Sequence, residues 1–366
     1  MRHRIGRRRT RNGALAVALT LVALAGAAGC GDGGSKTPHK GQAAKLFKWD
    51  VDDTAAMRKQ PPDVVSALYA LNTNATGIAY GSDGRLRVMT AYLLRFDADR
   101  TMHATDISGG KSVDWENHGL VSEPGGTFLS ARGTDVLRWR PDGTSQVVAA
   151  FAAKDRKAGT PVPASAPVGT VHSGYNAPWL AGVRPDGSLV LVDTDVLWSL
   201  KDGRLTRLLQ LPATGDKEVA NTLMEDAAVN RSGTVWTASG PFHAQTLAGL
   251  RTVAPDGTVS RPALPARAEG VSEKLTSLQV SWLTDDGADG VYAYVYSRSS
   301  EYVLHVRPGS VRAVARSTPS LNGCTMPDHP VDAMSMSCTI PGELTYHAGH
   351  LVAAGGADYV LTLPLA

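Results

Sequence analysis

Cysteine is scarce in this chain: three residues in 366. No pair is spaced Cys-x-x-Cys, the spacing that marks thiolate zinc sites and dithiol redox centres. The sequence also lacks a Gly-x-Ser-x-Gly elbow, a His-Glu-x-x-His segment and a phosphate loop. The hydrolases, zinc proteases and nucleotide-binding proteins built on those motifs therefore find no support. Long apolar runs are missing too. The longest, residues 14–25, is shorter than the roughly 20 apolar residues a helix needs to cross a bilayer. No basic patch appears, so a nucleic-acid partner is not expected.

What is present is most distinctive at the start. Six arginines fall within the first 11 residues. The apolar stretch follows and ends in Ala27-Ala28-Gly29-Cys30. This layout resembles the signal peptide and lipobox of bacterial lipoproteins, although Ala27 stands where that family prefers Leu. The resemblance implies cleavage before Cys30 and a lipid (diacylglycerol with palmitate) on its thiol. The protein would then be anchored in the cell membrane, facing outside the cytoplasm. An ordinary signal peptide or an uncleaved anchor helix are the alternatives. Arg7-Arg8-Arg9 suggests the twin-arginine route, but Thr10-Arg11-Asn12 lacks the apolar positions that route favours. The expected organisation is a signal peptide over 1–29, a lipidated flexible tether over 30–44 rich in Gly and Ser, and one domain over 45–366.

Removing residues 1–29 takes away six arginines and no acid, which turns the formal charge from +3 to −3. Cys324 and Cys338 remain, 14 positions apart. Outside the cytoplasm such a pair is expected to form a disulfide, closing a loop worth about 3 kcal/mol in the chain-entropy model. Two buried free thiols or half of a metal site are the rival readings.

Glycine turns occur in two registers along the chain. One set comprises Ser82-Asp83-Gly84, Pro124-Gly125-Gly126, Pro185-Asp186-Gly187, Arg231-Ser232-Gly233, Asp285-Asp286-Gly287 and Ala348-Gly349. The other includes Pro141-Asp142-Gly143, Lys201-Asp202-Gly203, Pro255-Asp256-Gly257 and Pro308-Gly309. Asp-Gly suits these places because glycine adopts positive φ without steric cost. Around them four β-rich runs recur in one order, over 78–107, 120–151, 180–211, 227–264 and 278–315. A four-stranded antiparallel unit recurring about every 45 to 60 residues predicts propeller blades. A β-sandwich would not explain two alternating registers of turns. A sixth unit, 343–363, has only three strands of its own. The alternating segment 45–51 is expected to supply the fourth, as the outermost strand, and so close the ring. The fold class is therefore all-β: a six-bladed β-propeller of four-stranded antiparallel blades, closed by an N-terminal strand in the last blade.

Gly77-Ile78-Ala79-Tyr80 with Ser82-Asp83-Gly84, and Val136-Leu137-Arg138-Trp139-Arg140-Pro141-Asp142-Gly143, resemble NHL-type repeats and the related six-bladed propellers of the gluconolactonase and lyase kind. The likeness covers residues 74–366. It implies a scaffold, not an activity. Those enzymes use a metal-binding set of Glu, Asn and Asp on inner strands, or a pair of His, and no such set can be assigned residue by residue in this sequence.

Long connectors at 108–118, 152–178, 212–226, 265–276 and 318–341 lie on the face opposite the Asp-Gly turns, where binding is expected. Trp115, His118, His172, Tyr175, Asn176 and Trp179 are the binding-face candidates there. Of the Pro-rich connector 152–178, the C-terminal half is expected to be ordered. The acids Asp193, Asp195, Glu225 and Asp226 are a weak pointer to Ca²⁺, since such acids more often cap turns. No catalytic residue, metal ligand or cofactor is assigned. His347 and His350 straddle a turn and read as polar loop residues. Trp139, Trp198, Trp236 and Trp282 fall within strands and are expected in the core. The function expected is a monomeric, membrane-tethered binding or scaffold module for a protein or small-molecule ligand. The alternative is a metal-assisted lactonase- or lyase-like enzyme on the same fold.

Overall fold

A computed structural model describes residues 37–48, 75–90, 92–97, 102–107, 117–123, 125–174, 178–212, 223–240, 245–319, 326–357 and 359–365. Six antiparallel sheets follow one another along the chain. The first has strands Gly77–Tyr80, Leu86–Met89, Tyr92–Phe96 and Met102–Asp106; the second Asn117–Ser122, Phe128–Arg132, Asp135–Trp139 and Ser145–Ala150. The third comprises Trp179–Val183, Leu189–Asp193, Val196–Lys201 and Arg204–Gln210, and the fourth Leu223–Val229, Val235–Gly240, Arg251–Val253 and Val259–Ser260. The fifth comprises Gln279–Asp285, Val291–Tyr296, Glu301–Arg307 and Ser310–Ser317; the sixth is built on Glu343–His347, His350–Ala354 and Tyr359–Pro364. The strands named here lie in chain order within each blade, as consecutive hairpins require.

The turns form for the local reason the sequence suggests. The carboxylate of Asp142 accepts the N–H of Thr144 at 2.9 Å, Asp186 that of Ser188 at 3.0 Å and Asp256 that of Thr258 at 2.9 Å. The glycines between them, Gly143, Gly187 and Gly257, have φ of +83°, +82° and +87°.

Six apolar clusters hold six blade interfaces. Blades one and two share Ala79, Met89 and Leu93 with Phe128, Leu137 and Trp139. Blades two and three share Leu129, Val136, Leu191 and Trp198, and three and four Val192, Leu197, Met224 and Val235. Blades four and five share Trp236, Ala238, Val291 and Tyr302, and five and six Tyr292, Val303, Leu344 and Leu361. The last cluster joins Val352, Ala354 and Val360 to Ile78, Val88 and Phe96, so blade six meets blade one and the ring is closed. Each large apolar side chain buried there contributes roughly 1.5–3 kcal/mol. Innermost strands approach closely where Gly119 (φ +74°) faces the next blade: a Cβ there would lie 2.1 Å from the carbonyl oxygen of Leu180.

Closure uses the N-terminal segment, with two corrections to the expected boundaries. The strand is Gln42–Lys48, not 45–51; Trp49, Asp50 and Val51 lie outside the described residues. It pairs antiparallel with Tyr359–Pro364, with Lys45 opposite Leu361 and Lys48 opposite Tyr359. Nor is it outermost, because Val331–Asp332 pairs with Gln42 and Ala43 on its far side. Ser165–Pro167 similarly adds a fifth strand outside Arg204–Gln210 in blade three. Both additions cover an edge that would otherwise expose unpaired backbone groups. Parts of two long connectors thus run along blade edges rather than over the face.

Of the four tryptophans expected in the core, Trp139, Trp198 and Trp236 are almost fully buried, whereas Trp282 is half-buried. Cys338 is buried among Met326, Met336 and Ile340, and its carbonyl accepts the Ser317 hydroxyl at 2.5 Å. Cys324 and Cys30 lie outside the described residues, as does all of 1–36. Among the described residues no helix is long and apolar enough to cross a membrane.

Candidate functional site

The innermost strands of all six blades line one central cavity of about 810 Å³. Its width follows from small residues on those strands, including Ala79, Ala181, Gly182, Ala227 and Ala228. A volume of this order suits a small organic ligand, for which pockets of about 300–1,000 Å³ are usual. Aromatic surface comes from Trp179, Trp282 and Tyr294, and from Tyr80 and Tyr346 near the opposite end of the strands.

Three acids line this cavity, with no Lys or Arg among the described residues of its wall. Asp226 stands at a bulge in blade four, where the register shifts between Met224 and Asp226. One of its oxygens accepts the backbone N–H of Leu283 in blade five. Asp285, at the end of blade five's inner strand, accepts the N–H of Gly287 at 2.8 Å, and burial raises its pKa. Glu343 opens the inner strand of blade six and is only 8% exposed. Its Oε2 has no hydrogen-bond partner among the described residues. Burial first, and the Asp226 charge second, push the Glu343 carboxyl well above the ordinary range. Tyr294 is also raised, by burial and then by the neighbouring Glu301, to which its hydroxyl is hydrogen-bonded.

Several other buried acids are tied to structure. Asp193 and Asp195 hold the buried guanidinium of Arg156 at 3.2 and 2.7 Å. Asp193 also accepts the Trp198 indole N–H at 3.2 Å and the Gly174 N–H at 2.6 Å. The connector is pinned to blade three in this way. Its described residues, 152–174 and 178, include the N-terminal half as well as most of the C-terminal half, and Arg156 fixes the segment to blade three. His347 stacks on Tyr80 with ring centroids 4.6 Å apart, joining blades six and one at the end of the cavity, so it is more than a loop residue.

Of the six binding-face candidates, Trp179 is the one the structure places in the cavity wall. His172 is exposed, pairs with Asp155 at 2.6 Å and is not part of that wall, because the connector carries it along blade three. Trp115, Tyr175 and Asn176 lie outside the described residues, as does the side chain of His118. Sequence reasoning missed Glu343, Trp282, Tyr294 and Asp285. The available signal was that each lies in, or at the end of, a strand of a repeated unit.

No family model matches the chain and no curated protein matches it. Among solved structures, a gluconolactonase from Xanthomonas campestris superposes with a TM-score of 0.51 at 14% identity, over 82% of this chain and 88% of that one. Virginiamycin B lyase from Staphylococcus aureus gives 0.48 at 10% identity, over 81% and 96%. At such identities the likeness concerns architecture. The chain shares the six-bladed β-propeller fold of that gluconolactonase.

Proposed function

We propose that this chain is a ligand-binding propeller, tethered by a lipid on Cys30 and facing outside the cytoplasm. The observation that carries the binding role is the central cavity, with small walls, aromatic surface and one buried carboxyl lacking a partner. The sequence around Cys30 supports the address. The second reading, a metal-assisted lactonase- or lyase-like enzyme, draws on the fold and on the proximity of Asp226 and Glu343. A hard cation such as Ca²⁺ takes roughly six to eight oxygen ligands. Among the described residues no group of three or more His, Cys, Asp or Glu is placed to hold a metal. The described donors therefore do not complete such a site.

The test is co-purification. Full-length protein gently extracted from its native envelope should release a small molecule on denaturation, detected by mass spectrometry. Ala181→Trp, which fills the cavity wall, should abolish it. The same molecule recovered in equal amount from the Trp variant would contradict binding in the channel. The tether is tested separately: Cys30→Ala should move the protein out of the membrane fraction, and its retention there in high salt would contradict lipid anchoring.

A further inference from the structure

Resting on the reading of the central cavity as a binding site, we propose that its ligand is a small organic ammonium compound, with its charge at Glu343 beside Asp226 and its apolar body in the channel. The first support is contrast. Asp193 and Asp195 face Arg156, and Asp286 faces His305 and Arg307 at 2.8 Å each. Glu301, also buried, accepts the N–H of Ile340 at 2.7 Å. Glu343 alone among these buried acids keeps an oxygen without a partner, and it does so on the cavity wall. Leaving a buried polar atom unsatisfied costs about 1–3 kcal/mol. A bound donor removes that cost.

The second support is charge. The described wall offers carboxyls and hydroxyls and no Lys or Arg. Its one histidine, His347, is stacked on Tyr80 at the far end of the strand that Glu343 opens. An anionic ligand at Glu343 would therefore meet carboxylates rather than a counter-charge. An ammonium group supplies both what Oε2 lacks, an N–H donor, and the positive charge that favours ionised Glu343. The proton leaving Glu343 then passes to solvent. The third support is shape. The cavity of about 810 Å³ far exceeds a bare ion, and Trp179, Trp282 and Tyr294 present aromatic surface to it. Aromatic faces attract organic cations by about 0.5–2 kcal/mol each.

The experiment is calorimetric titration of the full-length protein with four probes: benzylammonium, benzyl alcohol, benzoate and Ca²⁺. Benzylammonium should bind at least about tenfold more tightly than benzyl alcohol, and benzoate should not bind. Glu343→Gln should bring benzylammonium down to the affinity of benzyl alcohol and leave benzyl alcohol unchanged. The comparison of probes on the unmodified protein stands even if the variant folds poorly. Equal affinities for benzylammonium and benzyl alcohol would overturn the ammonium assignment while leaving the binding channel intact. Ca²⁺ binding that displaces benzylammonium and depends on Glu343 would overturn it in favour of a metal site. No binding by any probe would also overturn it, and the co-purification experiment then decides separately whether the channel binds at all.

Discussion

Burial, and then the Asp226 charge, push the Glu343 carboxyl well above the ordinary carboxylate range in the folded chain, so between the unfolded and folded values the folded chain favours the protonated form. The folded state therefore binds more protons. This contribution to stability is complete below the unfolded pKa and fades as pH rises through the folded one. Glu343→Gln keeps the shape and removes the cost of ionising a buried carboxyl. The variant should be more stable than the parent at pH 8, by on the order of 1–3 kcal/mol. The two should converge below about pH 4, where a free carboxyl is protonated in either state. Melting curves across that range check this, and a variant less stable at pH 8 would show that Glu343 has a partner. Asp226 differs because a backbone N–H already occupies one of its oxygens.

At the scale of elements, the Arg156 cluster fastens the connector to blade three. Removing one partner of a buried ion pair costs about 3–5 kcal/mol, because the other charges stay buried. Arg156→Leu should therefore lower stability by that order in urea titrations and open residues 152–174 to proteolysis. Adding Asp193→Asn and Asp195→Asn should recover part of the loss. Unchanged proteolysis of Arg156→Leu would show that the edge strand Ser165–Pro167, and not the ion pairs, secures the segment. The turns and the blade order were legible in the sequence because both are local: an Asx–Gly turn is decided within four residues. The cavity was not. Glu343, Asp226 and Trp282 come from three blades, and only ring closure brings them to one wall. For Trp179 the sequence shows its position at the start of an inner strand, directly after a connector, and not the wall it lines. The surroundings of His172 were not legible, because nothing local in the connector says that Ser173–Gly174 pairs back with Lys154–Arg156 and so sets His172 against Asp155.

For the whole molecule, the ring makes the site. Six inner strands form the wall only while blade six stays against blade one, and Gln42–Lys48 holds blade six to the start of the chain. Opening that seam would separate Val352 and Val360 from Ile78 and Val88 and expose the cavity along its length. The most direct measurement is the melting temperature of two truncations. Deleting residues 31–40 stops short of the strand and should leave it nearly unchanged. Deleting 31–48 removes the strand and the partner of Val331–Asp332, and should lower it by about 2–4 °C for each kcal/mol lost, the scaling for a domain of 150–250 residues. Equal melting temperatures for the two would contradict closure by the N-terminal strand, and with it the channel on which the functional account rests.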